Sequence, residues 1–180
     1  MAVIEAIATT YLEADAASVT FSSLGSYEHL QLRCSMKSNR SGSAVDGFQL
    51  TFNGDGHPST AYSYHWMRGS FTTASAGGLA STRLNLQNML ADDAGETPAA
   101  NFSTGIIDIL DYRNANKNTT VMALLGTAGT TLWSTVSFES GLWDNPTSTP
   151  HSGVTSILLD QVNGPNFMRG SVFTLYGIQE

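Results

Sequence analysis

FNGDGHPSTAYSYHW, residues 52–66, gathers two of the chain's four histidines, an aspartate and four aromatic residues around a turn. His57, His65 and Asp55 are residue types that bind a transition metal or move protons near neutral pH. Their spacing argues against either task. His57 sits in the loop GDGHPS, and His65 points away from the face that carries Tyr62, Tyr64 and Trp66. Asp55 is the one nearby third ligand, and no cysteine stands close by to complete a structural zinc set. Two histidines on the surface or edge of a hairpin are the simpler reading, and no metal is expected.

The other candidates for chemistry are equally thin. Asp108 and Asp111 in GIIDILDY could suggest a general acid and base. Three apart on a strand, they point to opposite faces, and Asp111 suits a strand-end turn. Cys34 is the only cysteine, which excludes an intrachain disulfide, and it falls on the apolar side of an alternating run. No G-x-S-x-G elbow, phosphate-binding glycine loop or dinucleotide fingerprint occurs. No catalytic residue and no cofactor are therefore expected. Trp133 and Trp143 are the candidate contact residues: exposed rings could stack on a sugar or meet another subunit, whereas packing beneath a loop is the plainer alternative.

Composition sets outer limits. A chain of 180 residues fits a single domain, 1–180, and 41% apolar content is ordinary for a folded protein. Charged residues are only 13%, with Ser, Thr, Asn and Gly in their place, as turn-rich β proteins require. The formal charge of −7 and eight scattered basic residues oppose nucleic-acid binding. Arg33, Lys37 and Arg40 come nearest to a basic group and fit a solvated strand face. Apolar runs are too short to span a membrane, and MAVIEAIATTYL lacks the pattern of a signal peptide. Three N-x-[ST] sequons, at Asn39, Asn101 and Asn118, carry no weight in a chain this rich in Asn, Ser and Thr.

Period-two alternation runs through most of the chain. In YEHLQLRCSMK, Leu30, Leu32, Cys34 and Met36 share one face. GFQLTF places Phe48, Leu50 and Phe52 inward, and Asn53-Gly54 signals a turn. TLWSTVSFES sets Leu132, Val136 and Phe138 on one face and Trp133 on the other, leaving Trp133 to solvent or another subunit. Further strands are predicted in VTF, YSYHWM, FSTGIIDILDY, TTVMALLG, VTSILLD and SVFTLYGI. Residues 69–100 lack the pattern and are predicted as a long loop excursion, with LNLQNML a short helix or irregular segment. The expected fold is all-β: a β-sandwich of jelly-roll type with eight to ten antiparallel strands and little helix.

VTFSSLGSYEHLQLR, the FNGD turn with YSYHW, IIDILDYRNANKNTT and the closing GSVFTLYGI occur in that order between residues 19 and 178. Together they resemble a family of jelly-roll virion structural proteins of tailed bacteriophages. The resemblance implies a non-enzymatic protein, made in a host cytoplasm and ending on the virion, more at the capsid surface than the tail. Its implied role is capsid decoration or cement, a homotrimer that binds the major capsid protein or other virion proteins. The alternative is a tail or fibre component whose aromatic residues, Trp133, Trp143, Tyr62 and Trp66, bind host-surface glycans.

Overall fold

The computed structural model describes residues 3–55, 61–92, 100–129, 134–144 and 153–179. Every regular element among them is a strand. They are β1 (Val3–Tyr11), β2 (Ser18–Phe21), β3 (His29–Ser38), β4 (Val45–Phe52), β5 (Tyr62–Ser70), β6 (Thr73–Ser81), β7 (Leu84–Ala91), β8 (Ser103–Leu110), β9 (Thr119–Thr127), β10 (Thr135–Trp143), β11 (Ile157–Gln161) and β12 (Val172–Gln179).

The larger sheet has the order β1-β12-β3-β8-β9-β10-β5-β6, and each neighbouring pair is antiparallel. The smaller sheet runs β2-β11-β4-β7. They join at one corner, where Lys37 and Ser38 of β3 pair parallel with Leu90 and Ala91 of β7. β7 also packs against β5, β8, β9 and β10, so the smaller sheet covers one face of the larger one. The protein is thus all-β and sandwich-like, as its alternation predicts. Its layers are unequal, eight strands against four, whereas a jelly roll divides eight strands between two sheets.

The core follows the period-two pattern where that pattern is clean. Leu30, Leu32 and Met36 of β3 are fully buried with Phe48, Leu50 and Phe52 of β4, and with Phe173 and Leu175 of β12. Each such side chain stabilises the fold by about 1.5–3 kcal/mol through removal from water. Phe167 packs edge-on against Phe173 with centroids 4.9 Å apart, closing the core below the β11–β12 connection.

Three expectations need correction. The loop excursion at 69–100 is largely strand: β6 and β7 occupy 73–81 and 84–91, and residues 93–99 lie outside the described residues. β7 was obscured by a bulge. Asp46 pairs with Met89 but Phe48 with Leu86, so β7 carries one extra residue there, and Asn88 adopts a positive φ of 70°. That extra residue breaks the alternation of LNLQNML and leaves a spacing that imitates a helix.

The second correction concerns β10, whose phase is the reverse of the expected one. Val136 and Phe138 face outward, while Thr135, Ser137 and Glu139 are buried. The cause is β7 lying close above. A Cβ at Gly141 would collide with the Leu84 side chain, so the inner face of β10 must be small where β7 crosses it. The third is Lys37, which is buried with its Nζ 3.3 Å from Asp92 Oδ1, not on a solvated face. Here β3 leaves one layer to pair with the other, and both its faces become covered.

Candidate interaction surface on the outer sheet face

The smaller sheet covers only one side of the larger sheet, and the outer side of β8, β9, β10 and β5 is apolar. Strand register sets its exposed residues in rows. One row runs Ile106–Leu124–Phe138–Met67–Ala76 across five strands. The next runs Thr104–Gly126–Val136–Gly69–Ala74. Neither row contains a charged residue. A third, Asp108–Met122–Ser140–His65–Gly78, brings in one carboxylate and one imidazole.

Ile106, Leu124, Met122, Phe138, Met67 and Val136 are each 42 to 60% exposed. Six side chains of this size leave roughly 500–600 Å² of apolar surface open, at the upper end for a single patch on a monomer. The surface has relief. A depression of about 530 Å³ lies between Met67 and Phe138, floored by Ala76 and Gly77 and edged by His65 and Ser140. Large side chains standing beside glycine, alanine and serine make a knobbed surface suited to another protein surface.

The β5–β6 hairpin extends this face beyond the smaller sheet. Its glycines receive aromatic rings from β5: Trp66 lies over Gly77 on the inner side, where a Cβ would be 2.8 Å from Cζ2, and His65 lies over Gly78 on the outer side. The Arg68 guanidinium sits 5.0 Å from the Trp66 ring and donates to Asn88 Oδ1 at 3.1 Å. Phe71 occupies the hairpin tip, 68% exposed and at a φ of 55°.

The residues that drew attention as chemistry have structural partners. Asp55 Oδ2 accepts a hydrogen bond from Trp143 Nε1 at 3.0 Å. Asn53 Oδ1 accepts from the backbone N–H groups of Thr155 and Ser156, fastening the turn after β4 to the segment before β11. Asp108 accepts from Gln31 Nε2 at 2.8 Å, whereas the Asp111 carboxylate pairs with Lys117, its carbonyl accepts from the Asn114 N–H at 2.8 Å and its N–H donates to His29 Nδ1. The two carboxylates serve different elements. Among the described residues, no group of three or more His, Cys, Asp or Glu could hold a metal ion. Cys34 is buried, its Sγ donating to the Gly105 carbonyl, and burial pushes its thiol pKa up to about 12.

Trp143 is not a contact residue. It is 2% exposed and packs between Phe52, at 5.6 Å between centroids, and Tyr62, at 6.5 Å. Tyr62 is itself fully buried, its hydroxyl accepting from the Phe52 N–H and its pKa raised by desolvation. Trp133 and His57 lie outside the described residues. Sequence reasoning missed the outer face because it assigned Val136 and Phe138 to the core. A usable signal was present: β9 and β10 carry large apolar residues at positions of both parities, as in VMALL, more than a strand with one wet face requires. Comparison with protein-family models, with curated proteins and with solved structures gives no match for this chain.

Proposed function

We propose that this chain is a non-enzymatic assembly protein that docks on other protein through the outer face of its larger sheet. Taken with the resemblance of its motif order to tailed-phage virion proteins, the role that fits best is capsid decoration or cement on the major capsid protein. The observation that carries this reading is the uncharged row Ile106–Leu124–Phe138–Met67, exposed across four strands of a chain of net charge −7. Such a face stays soluble through the charge elsewhere and gains stability when another protein surface removes it from water. Binding the assembled shell in preference to free subunits shifts the equilibrium toward the intact particle, and many copies add their modest contacts.

The alternative of a glycan-binding tail or fibre component has less support. Trp143 and Tyr62, two of its stacking rings, are enclosed in the core, and Trp66 is partly covered by Arg68.

The test is co-sedimentation of the purified chain with shells assembled from the major capsid protein of the genome that encodes it. Wild-type chain is expected to pellet with the shells, and Phe138→Lys is expected to weaken binding at least ten-fold while keeping its thermal transition. Binding equal in the two proteins, or absent in both, would overturn docking through this face.

A further inference from the structure

β6 is the last strand of the larger sheet. It pairs with β5 along its whole length, from Ser70↔Thr73 to Tyr62↔Ser81, and with no other strand among the described residues. Its outward N–H and C=O groups form an open ladder, the feature that recruits a further strand.

The remaining strand edges are short, guarded or covered. β1, at the opposite end of the sheet, has a register shift between Ala6 and Ala8 and carries Glu5. β2 is only four residues long. β7 is flanked at its end by the parallel pairing with β3. Bulges, charges and shortness are the devices that keep sheet edges apart. β6 has none of them. It is nine residues long, and no Asp, Glu, Lys, Arg or Pro occurs from 69 to 82.

We propose that β6 pairs antiparallel with β6 of a second copy about a two-fold axis, continuing the larger sheet across two chains. Charge selects this occupant and this place. Copies that each carry −7 repel one another, and the 69–82 segment is a stretch where they can meet without bringing carboxylates together. An antiparallel pair is also self-complementary, as a two-fold contact requires. Pairing centred on Gly77 would lay Leu79, 62% exposed, across the partner's Ser75 and Gly77. It would also set the row that ends at Ala76 against the partner's row that ends at Gly78, so that the two outer faces continue into one surface.

A strand of this length turns about four or five residues outward, enough for roughly eight to ten hydrogen bonds between copies, as in an interface of ordinary size. The apolar area covered is smaller, which places the dissociation constant in the micromolar range. Two-fold pairing gives a dimer, where the family resemblance implied a homotrimer, and it stands independently of capsid binding.

The experiment is sedimentation equilibrium of the full chain from about 1 to 300 μM, paired with hydrogen exchange at both ends of that range. A monomer–dimer equilibrium is expected, with exchange in residues 73–81 slowed ten-fold or more at high concentration. Ala76→Lys combined with Leu79→Lys should weaken association at least ten-fold, whereas Leu124→Lys, three strands away on the same face, should leave it unchanged. A chain that is monomeric at 300 μM, a trimer, or concentration-dependent protection that avoids 73–81 would each overturn the pairing. Loss of the dimer in Leu124→Lys alone would show that copies meet face to face instead. None of these outcomes depends on whether shells are bound.

Discussion

Trp143 Nε1 donates to Asp55 Oδ2 at 3.0 Å, tying the last residue of β10 to the turn that follows β4. The bond bridges the two layers at the point where Phe52, Tyr62 and Trp143 cluster. Trp143→Ala should therefore cost about 3–5 kcal/mol, as large-to-small core replacements do. Trp143→Phe keeps most of the packing but strips Asp55 of this donor, and should cost about 1–2 kcal/mol. Urea denaturation of the two variants checks the order; equal losses would mean that the ring packing contributes nothing, and no loss in Trp143→Phe that the hydrogen bond contributes nothing.

Phe138 and Phe52 make a second comparison. Phe138 lies on the open outer face and Phe52 is fully buried. Phe138→Ser should change stability by no more than about 0.5 kcal/mol, while Phe52→Ala should lose about 3–5 kcal/mol. Comparable destabilisation would return Phe138 to the core and reverse the phase assigned to β10.

Gly141 is held small by Leu84 above it. Gly141→Ala is expected to destabilise by about 1–3 kcal/mol through overpacking. Shortening the opposing side chain in Gly141→Ala/Leu84→Ala should give a loss smaller than the sum of the single changes. Strict additivity in thermal or urea melts would show that the two sites do not touch.

Asp160 is a partly buried carboxyl paired with Arg83. Desolvation raises its pKa, and the nearby Arg83 only partly offsets that rise. A carboxyl whose pKa is raised by folding holds its proton more tightly in the folded state. Its contribution therefore grows as pH falls through the raised value and is complete below the unfolded value of about 3.9. The stability difference between wild type and Asp160→Asn should shift in favour of wild type as pH is lowered from 7 toward 4. A shift in the opposite sense, measured by urea melts across that range, would mean that the pairing with Arg83 outweighs burial.

Cys34 should be inert in the folded protein. Burial keeps its thiol protonated at neutral pH, because the raised pKa of about 12 lies far above it. Labelling by a thiol-specific disulfide reagent at pH 8 should be slow in buffer and rapid in urea, tracking the unfolding transition. Fast labelling in buffer would place Cys34 at an opened edge of the sheet.

Much of this fold is legible in the residues themselves. HLQLRCSMK and GFQLTF alternate cleanly because β3 and β4 turn one face to a single core, so Leu30, Leu32, Phe48 and Phe52 sit where their pattern says. Asn53-Gly54 forms a turn, both residues at positive φ, because its backbone demands are local. The lack of convergence between Asp108 and Asp111 was likewise visible in their spacing.

Other features depend on what lies across the sandwich. LNLQNML becomes a strand because β4 accepts it with a bulge at Asn88, and no local preference announces that bulge. Residues 73–81, small and polar, become β6 because Trp66 and His65 of β5 need glycine backbone beneath their rings. In β10, period two specifies two faces but not which one is inward. β7 decides that by pressing Leu84 against Gly141, which turns Ser137 and Glu139 in and Val136 and Phe138 out. The sequence alone thus determined an alternating, all-β chain. The tertiary structure decided which face of its larger sheet stays open, because that choice rests on steric fit between layers distant in the chain.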